Sequence, residues 1–133
     1  MGFQEWKKTE KLEEKTMETE SFQIFFTRHA SQRIIERCGI YFLDNTVNYL
    51  KNERRFVFMK RKDAYFLFVP TGIFLVGVFE NKEKFVVKTT LYPSLYEKEE
   101  ILKSNRLAID VKSDVTVIIP KYHKNKLIQL GHR

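Results

Sequence analysis

Cysteine, proline and glycine are all scarce in this chain, at one, three and five of 133 residues. A lone cysteine, Cys38, excludes an internal disulfide, so a packed core has to hold the fold. So little proline and glycine excludes a collagen-like or low-complexity chain. No apolar run approaches the roughly 18 residues that span a bilayer. The first residues lack the basic-then-apolar order of a secretion signal, so the expectation is a cytoplasmic protein that does not engage a membrane. No Cys or carboxylate pair stands at ligand spacing near any of the three histidines, so neither a metal nor another cofactor is expected. A P-loop, a Gly-rich phosphate cradle and a Ser-His-Asp context are missing as well.

What is present is basic and aromatic. The chain is 43% hydrophobic and 14% aromatic, with a net charge of +7. Its length suits one core. In residues 1–20, Lys7, Lys8, Lys11 and Lys15 are outnumbered by Glu5, Glu10, Glu13, Glu14, Glu18 and Glu20, so the cationic excess falls on residues 21–133. A basic body attracts polyanions, nucleic acid above all. Residues 1–20, with Phe3, Trp6, Leu12 and Met17 widely spaced, read as a charged helix or arm, and residues 21–133 as a single domain.

The most informative stretch starts at Thr27, after a strand-like run from Phe22 to Phe26. Thr27 is an acceptable N-cap and Gly39 a C-terminal stop, which predicts a helix through Cys38. Four-residue spacing aligns His29, Arg33 and Arg37 on one face, with Ala30, Ile34 and Cys38 as a neighbouring apolar stripe. On that pattern Cys38 is a small buried residue. A second short helix, capped by Asp44 or Asn45, gives way at Asn52 to strands at 56–59, 65–69, 73–79 and 85–92. Loops this short predict an antiparallel meander. Ser94 and Glu97 form a capping-box pattern for a helix to about Asn105. Residues 106–114 read as loop, and a final hairpin is expected around residues 120–125. The fold class is α+β: N-terminal helices packed on a twisted antiparallel sheet of about four strands, with a C-terminal helix and that hairpin.

Strict alternation in the last meander strand puts Phe85, Val87, Thr89 and Leu91 on one face and Val86, Lys88, Thr90 and Tyr92 on the other. The second face offers an ammonium, a hydroxyl and a phenol, each about 7 Å from the next, enough to hold a phosphate and its ribose.

The pattern His-Ala-x-x-Arg-x-x-Glu-Arg (His29, Ala30, Arg33, Glu36, Arg37) is followed by Gly39-Ile40 and a meander ending in Thr90, Tyr92 and Pro93. This resembles the superfamily of small ribonuclease toxins with barnase-like, EndoU-like, colicin-like and RelE-like domains. Within it, the chain looks most like domains of unknown function that open with such a helix. The resemblance covers Phe22 to Pro93, and Cys38 departs from it as an extra residue before Gly-Ile. It implies metal-free endoribonuclease activity through the ribose 2′-OH, leaving a 2′,3′-cyclic phosphate. His29 would take the 2′-OH proton, an imidazole role near neutral pH. Arg33 and Lys88 would neutralise the phosphorane, Thr90 would donate a hydrogen bond, and Tyr92 would protonate the leaving oxygen or orient the phosphate. Arg28, Arg37, Lys60, Arg61, Lys62 and His123 are candidate RNA-binding residues. RNA, as tRNA or mRNA, is the expected partner, together with an acidic antitoxin or immunity protein. The alternative is a non-catalytic nucleic-acid-binding module in which Tyr65, Phe66 and Phe68 stack bases, or a domain that chiefly binds a protein partner.

Overall fold

The computed structural model describes residues 14–120. In chain order these form β1 (Glu14–Phe26), α1 (Arg28–Cys38), α2 (Ile40–Asn52), β2 (Arg55–Arg61), β3 (Ala64–Val69), β4 (Ile73–Asn81), β5 (Lys84–Leu91), α3 (Leu95–Leu102) and β6 (Asn105–Ile118). The strands close into a barrel in the order β1-β5-β4-β3-β2-β6. Strands β2 to β5 are the antiparallel meander that their short loops dictate. β6 joins β2 antiparallel, and β1 closes the ring by lying parallel to both β5 and β6.

This closed six-stranded barrel overturns the expected α+β arrangement of helices on an open sheet of about four strands. Both closing strands begin well before the strand segments expected at 22–26 and 115–119. Residues 14–20, read as part of a helix or arm, are the first half of β1, and residues 106–114, read as loop, lie within β6. Closure satisfies the backbone groups that an open sheet would leave along its two edges. The first strand of the expected final hairpin, 115–119, forms the end of β6, while residues 121–133, with His123 and the second strand, lie outside the described residues, as does the arm up to residue 13.

Strand alternation sorts side chains into two apolar layers. Phe22, Ile24 and Phe26 of β1 meet Phe56 and Phe58 of β2, Leu67 and Val69 of β3, Ile73 and Leu75 of β4 and Phe85 and Val87 of β5 in the main core. Phe58 sits at its centre, with ring centroids 4.8 Å from Phe79 and 4.7 Å from Phe85. Each such buried ring stabilises by about 2–3 kcal/mol through area removed from water. The alternate positions, Val57, Met59, Phe66, Phe68, Phe74 and Val76, face outward and pack under Ile101 and Leu102 of α3. β4 is therefore covered on both faces, which explains its near-continuous apolar sequence.

The helix signals act as their chemistry requires. Thr27 Oγ1 accepts from the Ala30 N–H at 3.2 Å, and Gly39 ends α1 at φ 95°, a conformation that glycine adopts without strain. α2 begins directly after Gly39, at Ile40 rather than at a cap on Asp44 or Asn45. Ser94 and Glu97 make the full capping box at the start of α3, which ends at Leu102, short of Asn105. Ala30 and Ile34 of α1 and Leu43, Val47 and Leu50 of α2 join the main core, so both helices lie over the end of the barrel at which β1 leaves.

Candidate functional site

The site is made where one strand gives way to a helix. β1 pairs with β5 only from Gln23↔Lys84 to Phe26↔Val87. The chain then turns into α1, which takes over as the neighbour of β5. The Thr27 N–H donates to Val87 O at 3.0 Å, and Thr27 Oγ1 donates to Lys88 O at 3.4 Å. At the other end of the helix, Cys38 Sγ donates to Tyr92 Oη at 3.6 Å, and the Arg37 guanidinium carbon lies 5.2 Å from the centroid of the Tyr92 ring. Eleven residues of α1 rise about 16 Å, close to the roughly 13 Å that Lys88 to Tyr92 span as a strand. Helix and strand thus run side by side in the same direction. By four-residue spacing, Arg33 comes one turn before Arg37 on the same helix face and His29 one turn earlier still.

A β-bulge sets what the strand presents to this seam. Val76 pairs with Thr89 but its neighbour Gly77 pairs with Val87, so Lys88 is an extra residue in β5. The bulge shifts the alternation by one. Before it, Phe85 and Val87 point inward; beyond it, Thr90 (6% exposed) is buried, Tyr92 packs against the main core, and Leu91 packs against the outer cluster. Thr90 and Tyr92 therefore lie on the side of Phe85 and Val87, and not opposite them as strict alternation predicts. Gly77 makes the bulge fit, because a Cβ there would stand 1.9 Å from Val86 O.

Two buried polar atoms make no hydrogen bond of good geometry: Arg33 Nε, on the face of α1 that carries Arg37, and Thr90 Oγ1 of β5, which nonetheless acts on the Tyr92 phenol as a hydrogen-bonding neighbour. Leaving such groups unsatisfied costs about 1–3 kcal/mol each, and in native proteins they need an explanation. The Tyr92 phenol has its pKa raised from the ordinary value, chiefly by burial and next by its hydrogen bond with Cys38, while hydrogen bonding from Thr90 and the Arg37 charge pull the other way. The phenol is accordingly held protonated at neutral pH and can donate a hydrogen bond.

The electrostatics have one sign. The ion pairs among the described residues are Arg55 with Glu14 and Asp110, Lys84–Glu80, Lys103–Glu100 and Lys112–Glu18. None of them involves His29, Arg33, Arg37 or Lys88, and Glu36 on α1 accepts from Gln32 Nε2 at 3.0 Å instead. Among the described residues no group of His, Cys, Asp and Glu could hold a metal ion.

Of the residues that the sequence singles out, the structure brings Arg37, Thr90 and Tyr92 together in the seam, with Arg33 on the same helix face one turn before Arg37. It leaves His29 and Lys88 exposed toward the N-terminal end of α1, beside exposed Arg28. Lys60, Arg61 and Lys62 lie in the β2–β3 hairpin, at the end of the barrel where β1 begins, so the candidate RNA-binding residues divide between two ends. The expected base-stacking residues are occupied by packing: Tyr65 against Phe58 and Phe79, and Phe66 and Phe68 against Phe74. Cys38 is exposed rather than buried, and its thiol serves as a hydrogen-bond donor to Tyr92. Sequence reading missed Thr27 as a link to β5 and Gly77 as the keystone of the bulge; a glycine inside an otherwise apolar strand was the available signal. Comparison with protein-family models, with curated proteins and with solved structures finds no match to this chain.

Proposed function

We propose that the seam between α1 and β5 binds an RNA phosphodiester and cleaves it without a metal, by attack of the ribose 2′-OH. The observation that carries this reading is the pair of buried polar atoms without a well-formed hydrogen bond, Arg33 Nε on α1 and Thr90 Oγ1 on β5, beside cations that make no ion pair among the described residues. A phosphate's non-bridging oxygens would accept from both atoms, and Lys88, at the same end of α1 as His29, would add charge where it grows in the transition state, with Arg37 serving a neighbouring phosphate.

In the proposed reaction His29 takes the 2′-OH proton, and the 2′ oxygen forms a bond to phosphorus. The P–O5′ bond breaks and the leaving oxygen takes a proton from solvent; Tyr92, at the far end of α1 beside Cys38, stands nearly a helix length from His29 and would hold a neighbouring phosphate of the strand instead. The product ends are a 2′,3′-cyclic phosphate and a 5′-hydroxyl. The substrate would be a cytoplasmic RNA, and an acidic protein inhibitor would cover the same basic seam.

A second reading, binding without cleavage, is favoured by one observation. His29 makes no hydrogen bond among the described residues that would orient its ring. One experiment separates the two: incubate purified protein and its His29→Ala variant with RNA in EDTA. The catalytic reading expects breakdown that falls by about 10²–10⁴-fold in the variant. Equal, salt-dependent binding by both proteins with intact RNA supports the second reading, and absence of binding removes both.

A further inference from the structure

At the opposite end of the barrel from α1, a cleft of about 230 Å³ is lined by Lys15, Lys60, Tyr65, Asn105, Arg106 and Leu107. The sheet register explains why these residues meet. Lys15 pairs with Leu107, Leu107 with Phe58, and Lys60 with both Tyr65 and Asn105, so four strand ends converge there. Lys15 shares its strand phase with Met17 and Thr19, and Lys60 with Phe56 and Phe58. Both lysines therefore occupy inward-facing positions, at which the barrel is otherwise mainly apolar. Tyr65 is the floor, packed edge-to-face with Phe79 at 4.9 Å between centroids, and Lys60 Nζ lies 5.8 Å from the Tyr65 ring centroid.

No carboxylate balances these cations among the described residues. Glu14, next to Lys15, is turned to Arg55 at 2.7 Å. Arg106 donates only to a carbonyl, Leu102 O at 3.1 Å. Cations set at inward positions of a barrel mouth, with an amide and an aromatic floor beside them, make a site for a compact, multiply charged anion.

We infer that this mouth binds a phosphomonoester, the terminal phosphate of a nucleic-acid strand or free phosphate. A phosphomonoester carries about −1.5 to −2 near pH 7, against −1 for a diester, and so is the better match to the two inward lysines. The volume agrees: at about 30 Å³ per water the cleft holds roughly eight waters, room for a phosphate. The inference stands on residues outside the α1–β5 seam and survives or falls independently of the proposal made for it.

Calorimetric titration of the full chain with inorganic phosphate at fixed ionic strength tests it. One phosphate is expected to bind per chain, and Lys60→Glu and Lys15→Glu are each expected to weaken it by about tenfold or more. Lys82→Glu, in the β4–β5 turn at the same end of the barrel but outside the cleft, should weaken it by less than about twofold, the effect of long-range charge alone. Lys60→Gln, which keeps the stem over Tyr65, serves if the charge reversal does not fold. A short RNA with a 5′-phosphate that binds more tightly than its 5′-hydroxyl counterpart, with the difference lost in Lys60→Glu, identifies the strand end as the source. Equal binding of both RNAs with phosphate binding retained identifies free phosphate. Absence of phosphate binding, or equal weakening by Lys82→Glu, overturns the inference.

Discussion

Replacing Gly77 by alanine adds one methyl group where the barrel has no room for it. The new Cβ would lie 1.9 Å from Val86 O, 2.8 Å from Val86 C and 3.0 Å from Val87 Cα, all backbone atoms that no side-chain rotation can move away. A carbon and a carbonyl oxygen come no closer than about 3.3 Å without strain, so β4 and β5 must part by more than 1 Å or so at this point. Overpacking of this kind costs about 1–3 kcal/mol, and the hydrogen bonds lost between Gly77 and Val87 add about 1 kcal/mol each. The expected total is about 3–5 kcal/mol, a large part of the roughly 5–15 kcal/mol that holds a domain together. For a chain of 133 residues that is a fall in Tm of roughly 10–20 °C. Urea denaturation followed by far-UV circular dichroism measures it. The same variant should lose RNA cleavage even below its melting range, because the bulge that phases Thr90 and Tyr92 would be distorted. A cost under about 0.5 kcal/mol, the usual effect of a surface change, would refute the close approach and with it the account of how β5 presents its residues.

Other expectations concern the seam itself. Thr90→Val removes a buried hydroxyl without a well-formed hydrogen bond while keeping its shape, so stability should stay level or rise by up to about 1 kcal/mol, while RNA cleavage falls. A loss of more than about 1 kcal/mol in denaturation would mean that the hydroxyl is already satisfied. Tyr92→Phe keeps the packed ring and removes the phenol, so RNA binding should weaken by about 0.5–1.5 kcal/mol, the worth of one hydrogen bond, with little change in Tm. The phenol's pKa is raised in the folded state, so its share of stability is complete below pH 10, the ordinary value, and is lost as pH rises through the raised one. Denaturation between about pH 8 and 11 should accordingly show a shallower alkaline decline in Tyr92→Phe than in the parent, and superimposable declines would contradict the shift.

How far the sequence reveals this molecule depends on whether a signal is local. The bounds of α1 were legible because Thr27 and Gly39 each act on backbone groups within a few residues. The meander was legible because its turns are too short for any other connection. Closure was not. β1 and β6 pair across some 90 residues of chain, and no turn announces such a contact. β1 is further disguised by an irregularity between Thr19 and Ser21, so its inward residues run Met17, Thr19, then Phe22, Ile24, Phe26, and the two-residue period breaks midway. β6 did carry a signal: Leu107, Ile109, Val111, Val115 and Val117 pack against the main core while Asp110, Lys112 and Asp114 alternate with them, and the charged residues made it resemble a loop. The site was half legible for the same reason. Its residue types and helical spacing follow from local sequence, whereas the side of β5 on which Thr90 and Tyr92 emerge depends on a bulge that only the pairing with β4 defines.

The central claim is that α1 and β5 together bring a proton acceptor and cations to one ribose phosphodiester. The most direct measurement is cleavage, in EDTA, of a DNA strand carrying a single ribonucleotide. The account predicts one cut, directly 3′ of the ribose, leaving a 2′,3′-cyclic phosphate, made by the parent protein and not by His29→Ala. A strand left whole by the parent, a cut away from the ribose, or an undiminished cut by the His29→Ala variant would contradict it.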